Sequence, residues 1–175
     1  ATASSYDITL SGALSTSYAG SGNSITIRSG RDLALNAGIT NASASSSGAT
    51  DIFLSAYRDI TSNSSGGLSV TNTTGNTSAL TISSDADANS DGAISLGSGT
   101  FATNGGNITL GGGATGSGYA YGNATYTSGI KLELTKLYAN GAGATGGDIT
   151  LKGTTAQAAG SGIYFTGTNP STKAV

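Results

Sequence analysis

The chain of 175 residues has no cysteine, methionine, tryptophan or histidine, and a single proline. Without thiols it forms neither a disulfide nor a thiolate metal site. A cysteine-free chain is also compatible with an exported protein that must unfold to cross a membrane. Charge is scarce too: 9% of residues are charged and the formal net charge is -2. The seven cations (Arg28, Arg31, Arg58, Lys131, Lys136, Lys152 and Lys173) are dispersed and form no basic stripe, which argues against nucleic acid as a partner. No apolar run approaches the roughly 20 residues of a membrane span, so membrane insertion by a helix is not expected. The opening Ala1-Thr2-Ala3-Ser4-Ser5 lacks the basic and then apolar stretches of a signal peptide.

What the chain does contain is repetition. An apolar–x–apolar pair recurs from Ile8–Thr9–Leu10 through Ile25–Thr26–Ile27, Leu33–Ala34–Leu35, Ile52–Phe53–Leu54, Leu68–Ser69–Val70 and Leu80–Thr81–Ile82. It continues through Ile94–Ser95–Leu96, Ile108–Thr109–Leu110, Ile130–Lys131–Leu132, Ile149–Thr150–Leu151 and Ile163–Tyr164–Phe165. Alternation with period two means strands, with both apolar residues on one face. A ridge this short cannot bury itself, so each copy must stack on its neighbours. Regular Ile/Leu pairs also set the chain apart from a disordered Gly/Ser/Thr-rich linker.

Spacing narrows the fold. From Leu80 the first apolar residues advance by 14, 14, 22, 19 and 14 residues, while steps of 8 separate Ile25 from Leu33 and Ile52 from Ile60. The short steps fit two strands of one coil joined by a corner. The long steps fit most or all of a coil. An antiparallel sandwich also spaces strands at about 8–12 residues. Here, though, Asn-Gly occurs only at Asn104 and Asn140, and neither is a tight link between adjacent copies. The expectation is an all-β parallel β-helix. At about 20 residues per coil it would have on the order of eight coils and, with strands about 4.8 Å apart, a length of roughly 35–45 Å. Residues 1–175 read as one solenoid segment. Neither end resembles a cap, so the segment reads as an internal piece of a longer rod, or as one that stacks end to end on other copies.

Gly106-Asn107-Ile108-Thr109-Leu110, Gly147-Asp148-Ile149-Thr150-Leu151 and Ser29-Gly30-Arg31-Asp32-Leu33-Ala34-Leu35-Asn36-Ala37 resemble the repeats of filamentous-haemagglutinin-like exoproteins. These are large bacterial surface adhesins, many of them exported by two-partner secretion. The resemblance implies a right-handed parallel β-helix, an extracellular or cell-surface location, and a stalk or adhesive surface as the function. No secretion domain is recognisable in the chain.

An enzymatic β-helix, acting on carbohydrate, would need carboxylates clustered with Arg or Lys on one face. Five of the nine acids (Asp7, Asp32, Asp51, Asp59 and Asp148) instead stand directly before a strand. That placement suits an Asp that caps a turn through local backbone hydrogen bonds, and Asn107 fills the same slot. No His is present and Arg occurs three times, so the reading is non-catalytic.

Asp87-x-Asn89-x-Asp91-Gly92 matches the opening of an EF-hand-type calcium loop, in which alternating oxygens wrap a hard cation and the Gly makes the sharp turn. Ser98 stands where the twelfth-position acid belongs, so calcium competes with a plain solvated corner. The middle strand residue is often Thr or Ser, which makes an outward hydroxyl column explained by β-propensity.

The longest gap, between Leu110 and Ile130, gathers Tyr119, Tyr121 and Tyr126 in a Gly-rich stretch. Gly is expected to make it mobile, and Tyr to touch a partner. That partner is a host or neighbouring-cell surface ligand, or another copy of the chain. Together these features describe a non-catalytic structural or adhesive rod. The alternatives are a repeat subunit of an extracellular filament or matrix, and a carbohydrate-active β-helix enzyme.

Overall fold

The computed structural model describes residues 6–16, 24–41, 51–63, 68–72, 79–103, 105–140 and 146–167. The chain makes successive rounds of three strands. The first is β1 (Ile8–Leu10), β2 (Leu14–Thr16) and β3 (Ser24–Ser29), and the second is β4 (Leu33–Leu35), β5 (Ile39–Asn41) and β6 (Asp51–Ala56). The third is β7 (Ile60–Ser62), β8 (Leu68–Asn72) and β9 (Leu80–Ser84). The fourth is β10 (Ile94–Leu96), β11 (Gly99–Ala102) and β12 (Ile108–Gly112), with β13 (Ala120–Gly122) added. The fifth is β14 (Ile130–Glu133), β15 (Thr135–Tyr138), β16 (Ile149–Leu151) and β17 (Gly153–Thr155), and β18 (Ile163–Thr166) opens a sixth.

Strands that open a round form a six-stranded sheet, those in second place form a five-stranded sheet, and those in third place form another, while β13 pairs with β17. Every pairing between these strands is parallel. The protein is therefore all-β, with no helix among the described residues and with parallel strands in sheets, as a β-helix or solenoid requires.

The register stacks like on like. Ile8, Leu33, Ile60, Ile94, Ile130 and Ile163 are consecutive partners in the first sheet. Ile25, Ile52, Leu80, Ile108 and Ile149 are partners in the third. Along the six-stranded sheet the partners are 25, 27, 34, 36 and 33 residues apart. The expected 20-residue coil and eight coils are therefore corrected to longer rounds and fewer of them. The reason lies in the second sheet. β2, β5, β11 and β15 each bring one large inward side chain rather than two (Leu14, Ile39, Phe101 and Leu137), so no apolar pair marks them. Each complete round contributes one strand to each of the three larger sheets, and a 14-residue step such as Leu80 to Ile94 joins two consecutive strands rather than spanning a coil.

The core is a continuous column of Ile, Leu and Phe, including Leu33, Leu54, Ile82, Ile94, Phe101, Ile108, Leu110 and Ile130. Of the expected core positions, Ile149 departs: it is 45% exposed, at the last strand of its sheet. The hydroxyl column is interrupted, since Thr26, Thr81, Thr109 and Thr150 share the third sheet with Phe53 between the first two. Arg28 lies over that Phe53 ring, 4.6 Å from its centroid.

The stretch between Leu110 and Ile130, expected as a loop throughout, contains strand structure. Gly111 and Gly112 belong to β12, and β13 lies within the stretch. A Cβ on Gly112 would stand 2.0 Å from the Tyr119 carbonyl oxygen. Glycine is there so that two backbones can touch, and the Gly112 and Gly118 amides exchange hydrogen bonds at 3.0 and 2.8 Å.

Candidate functional site

Five of the Asp and Asn residues that precede the first apolar residue of a strand act between rounds rather than within a turn. Asp7, Asp32, Asp51, Asp59 and Asn107 each accept a backbone N–H at the matching place one round later, from Asp32, Asp59, Ala79, Ala93 and Asp148, at 2.8–3.2 Å. The local capping expected from sequence is thereby corrected. These positions lie at round corners, where the ladder leaves amides without a strand partner, and the carboxylate of the round before supplies one.

At the corner before the first sheet these rungs join a line of alternating charge. The Arg31 fork grips Asp7, with Nε donating to Oδ1 at 2.7 Å and Nη2 donating to Oδ2. The Arg58 fork grips Asp32 in the same way, with Nε 2.8 Å from Oδ1. Arg31 and Arg58 also lie 3.6 and 3.5 Å from the next acids in line, Asp32 and Asp59. The Arg31 hydrogen bond is the main cause that holds the Asp7 carboxyl below its usual value.

The alternation stops at Asp59. The next round carries Gly92-Ala93 where an Arg-Asp pair would stand, and a Cβ on Gly92 would meet Asp85 N at 2.4 Å. Asn123 takes over, donating from Nδ2 to Asp59 Oδ1 at 2.8 Å. Asp59 is 4% exposed, and burial pushes its carboxyl up, opposed by the Ala93 and Asn123 hydrogen bonds. Asp32, Arg58 and Asp59 line a cleft of about 140 Å³ with Thr61, Thr125 and Tyr126. This is the carboxylate–arginine cluster that a carbohydrate-active enzyme would use. Its acids, however, are engaged in rungs and forks, and the cleft is smaller than the roughly 300–1,000 Å³ of most ligand pockets.

Of the proposed calcium ligands, Asp87, Asn89 and Asp91 are all exposed, and Asp85, which the motif left out, organises their loop. Its carboxylate accepts the N–H groups of Asn89, Ser90 and Asp91 at 2.9–3.4 Å. Asn89 in turn donates to Asp87 at 3.0 Å and accepts from Asp91 N at 2.9 Å. Burial raises the Asp85 carboxyl against those bonds. The left-handed backbone falls on Asp85, Ala88 and Ser90 rather than on Gly92, so the sharp turn is not where an EF-hand places it. Asp87, Asn89 and Asp91 share a cleft with Arg31 and Arg58, neighbours that repel a cation. Among the described residues no group of three or more His, Cys, Asp and Glu is placed to hold a metal ion.

The three tyrosines do not converge by one mechanism. Tyr119 is exposed, while Tyr121 sits in β13 and exchanges backbone hydrogen bonds with Gly92 at 2.7 and 3.2 Å. Tyr126 sits on a turn built by Asn123, whose Oδ1 accepts the Thr125 and Tyr126 amides at 3.0 and 2.9 Å. Asn123 therefore fixes Tyr126 against the charged corner, a link between residues 59 and 123 that no sequence pattern announces.

The chain matches no family model, no curated protein and no solved structure. No helix among the described residues is long and apolar enough to cross a membrane.

Proposed function

We propose that the chain is a right-handed parallel β-helix of the filamentous-haemagglutinin-like kind. In this reading it serves as a non-catalytic structural and adhesive rod of a bacterial cell-surface or secreted protein. The observation that carries the reading is the register: six equivalent positions, Ile8 to Ile163, pair in parallel along one sheet while the chain visits the three sheets in fixed order. Crossovers between parallel strands of one sheet are almost always right-handed. Stacking commits the inward residues to the core and leaves loops and outward side chains free for contact. Tyr119, Tyr121 and Tyr126 are the proposed contacts to a surface ligand.

The test is display of the chain on a non-adherent bacterium, with attachment to host cells counted and the purified rod assayed against polysaccharides. Attachment without product release supports the reading. Release of new reducing ends or unsaturated sugars, abolished by Asp59→Asn, overturns it in favour of the enzyme that the Asp32–Arg58–Asp59 cleft would then serve.

A filament subunit is the second reading, and the exposed Ile149, Ile163 and Phe165 favour it, since a second copy stacked there would cover them. Sedimentation velocity over a wide concentration range decides it. Growth of the sedimentation coefficient that Phe165→Asp removes supports the filament, and a constant monomer value rejects it.

A further inference from the structure

The outer face of the first sheet carries Ser95, Lys131 and Tyr164 in register on β10, β14 and β18. These three floor a groove of about 560 Å³. Residues 125–128 and Ala159 and Ser161, from the successive corners that lead into β14 and β18, wall it. Its size lies within the roughly 300–1,000 Å³ of small-molecule sites. From Ser95 to Tyr164 the floor crosses two strand steps of about 4.8 Å each, and Thr61, which lines the adjoining smaller cleft, extends the same outward column by one more.

The walls are built rather than loose. The Asn123 turn sets the first, and the Asn123 amide anchors that turn to Asp59. The second is tied to the first: Thr155 Oγ1 donates to the Thr127 carbonyl at 2.6 Å, and the Ser161 amide donates to Ser128 Oγ at 3.3 Å. Gln157 closes the second turn, accepting the Gly160 amide at 3.0 Å. A site held this way loses little freedom on binding.

We propose that this groove binds a neutral oligosaccharide lying along the sheet face, a proposal that rests on the adhesive reading above and names its ligand class. Two tyrosines, Tyr126 and Tyr164, offer rings that can cover the C–H faces of pyranose units. Ser95, Thr125, Thr127 and Ser161 offer hydroxyls that both donate and accept, as sugar hydroxyls do. The one charged lining residue is Lys131, and its ammonium is 2.9 Å from Glu133. Glu133 neutralises that cation from beside the groove, which favours a neutral sugar over a uronate or a sulfated one. A peptide strand has less to hold here. The groove lies on the face of the sheet, and on β10 and β14 the backbone groups already serve the ladder on both sides, so strand addition is open only at β18, the last strand in the sheet order.

The test uses the whole chain, uniformly labelled for amide NMR. It is titrated with neutral tetrasaccharides of the glucan, xylan and mannan series, a tetragalacturonate, and an unrelated extended polar peptide. Saturable shifts confined to Ser95, residues 125–131 and residues 159–164 with a neutral sugar are expected. Tyr126→Ala combined with Tyr164→Ala should weaken binding at least about tenfold, by the stacking each ring supplies. Lys131→Gln, at a half-exposed position, is a second variant that keeps the fold while weakening the same titration. Binding of the galacturonate alone, of the peptide alone or of nothing in the panel overturns the proposal, as does undiminished binding by the tyrosine pair variant. Attachment of displaying cells that persists in the groove variants removes this groove as the site while leaving the adhesive rod standing.

Discussion

Ile108-Thr109-Leu110 and Ile149-Thr150-Leu151 are the same tripeptide, paired residue for residue on adjacent strands. Yet Ile108 is fully buried and Ile149 is 45% exposed. Nothing in the local sequence separates them. Ile108 has a strand on both sides, β9 and β16, and Ile149 is at the edge of its sheet's order. Burial in a stacked fold belongs to the neighbour rather than to the repeat, because each copy covers only the next.

The largest effect should come from breaking that contrast. Ile108→Asp places an unpaired carboxylate in the core and should cost about 4 kcal/mol or more, whereas Ile149→Asp should cost about 1 kcal/mol or less. Thermal unfolding of the two variants measures the difference, and equal losses would mean that Ile149 is covered in solution.

The same comparison recurs one residue earlier. Asp32 and Asp148 both stand before a strand, but Asp32 accepts the Arg58 fork and the Asp59 amide, while Asp148 is exposed and supplies its own amide to Asn107. Asp32→Ala should cost about 1–2 kcal/mol, with Asp148→Ala within about 0.5 kcal/mol of no effect. Denaturant midpoints check this, and Asp148→Ala as the worse variant would reverse the direction of the rungs.

Asp59 sharpens the contrast by pH. Burial raises its carboxyl above the usual 3.8, so the folded state holds this proton more tightly than the unfolded one. Its contribution to stability is therefore full below 3.8 and is lost as pH rises through the folded value. Asp7 runs the other way: its lowered carboxyl stabilises the fold above 3.8, and that is lost as pH falls through its folded value. The melting temperature of the wild-type chain minus that of Asp59→Asn should rise as pH is lowered from neutrality toward 4. A flat difference would mean that Asp59 ionises as freely as an exposed acid.

The smallest expected effect is that of calcium. The oxygens of Asp87, Asn89 and Asp91 lie beside Arg31 and Arg58 and in part already accept N–H groups, so millimolar calcium should leave the melting temperature unchanged. A rise reversed by chelator would restore the cation reading of this loop.

Sequence alone determined the strands with two inward residues. Ile25–Thr26–Ile27 and its kin must alternate, and a ridge of two side chains must stack, so parallel sheets and an apolar column were legible from Ile8 to Leu151. It also singled out the Asp and Asn that stand before several strands, and Tyr119, Tyr121 and Tyr126 as candidate partner contacts. Tertiary structure decided what those residues touch. The partner of Asp32 is 26 residues away at Arg58, and that of Asp59 is 64 residues away at Asn123. Such separations depend on how many residues each corner spends, and corners of Gly, Ser and Asn carry no periodic signal. For the same reason β2, β5, β11 and β15 of the second sheet, with one large inward residue each, and the groove over Ser95, Lys131 and Tyr164 emerged only once the rounds were stacked. Stacking sets side by side residues that the chain keeps more than 30 apart.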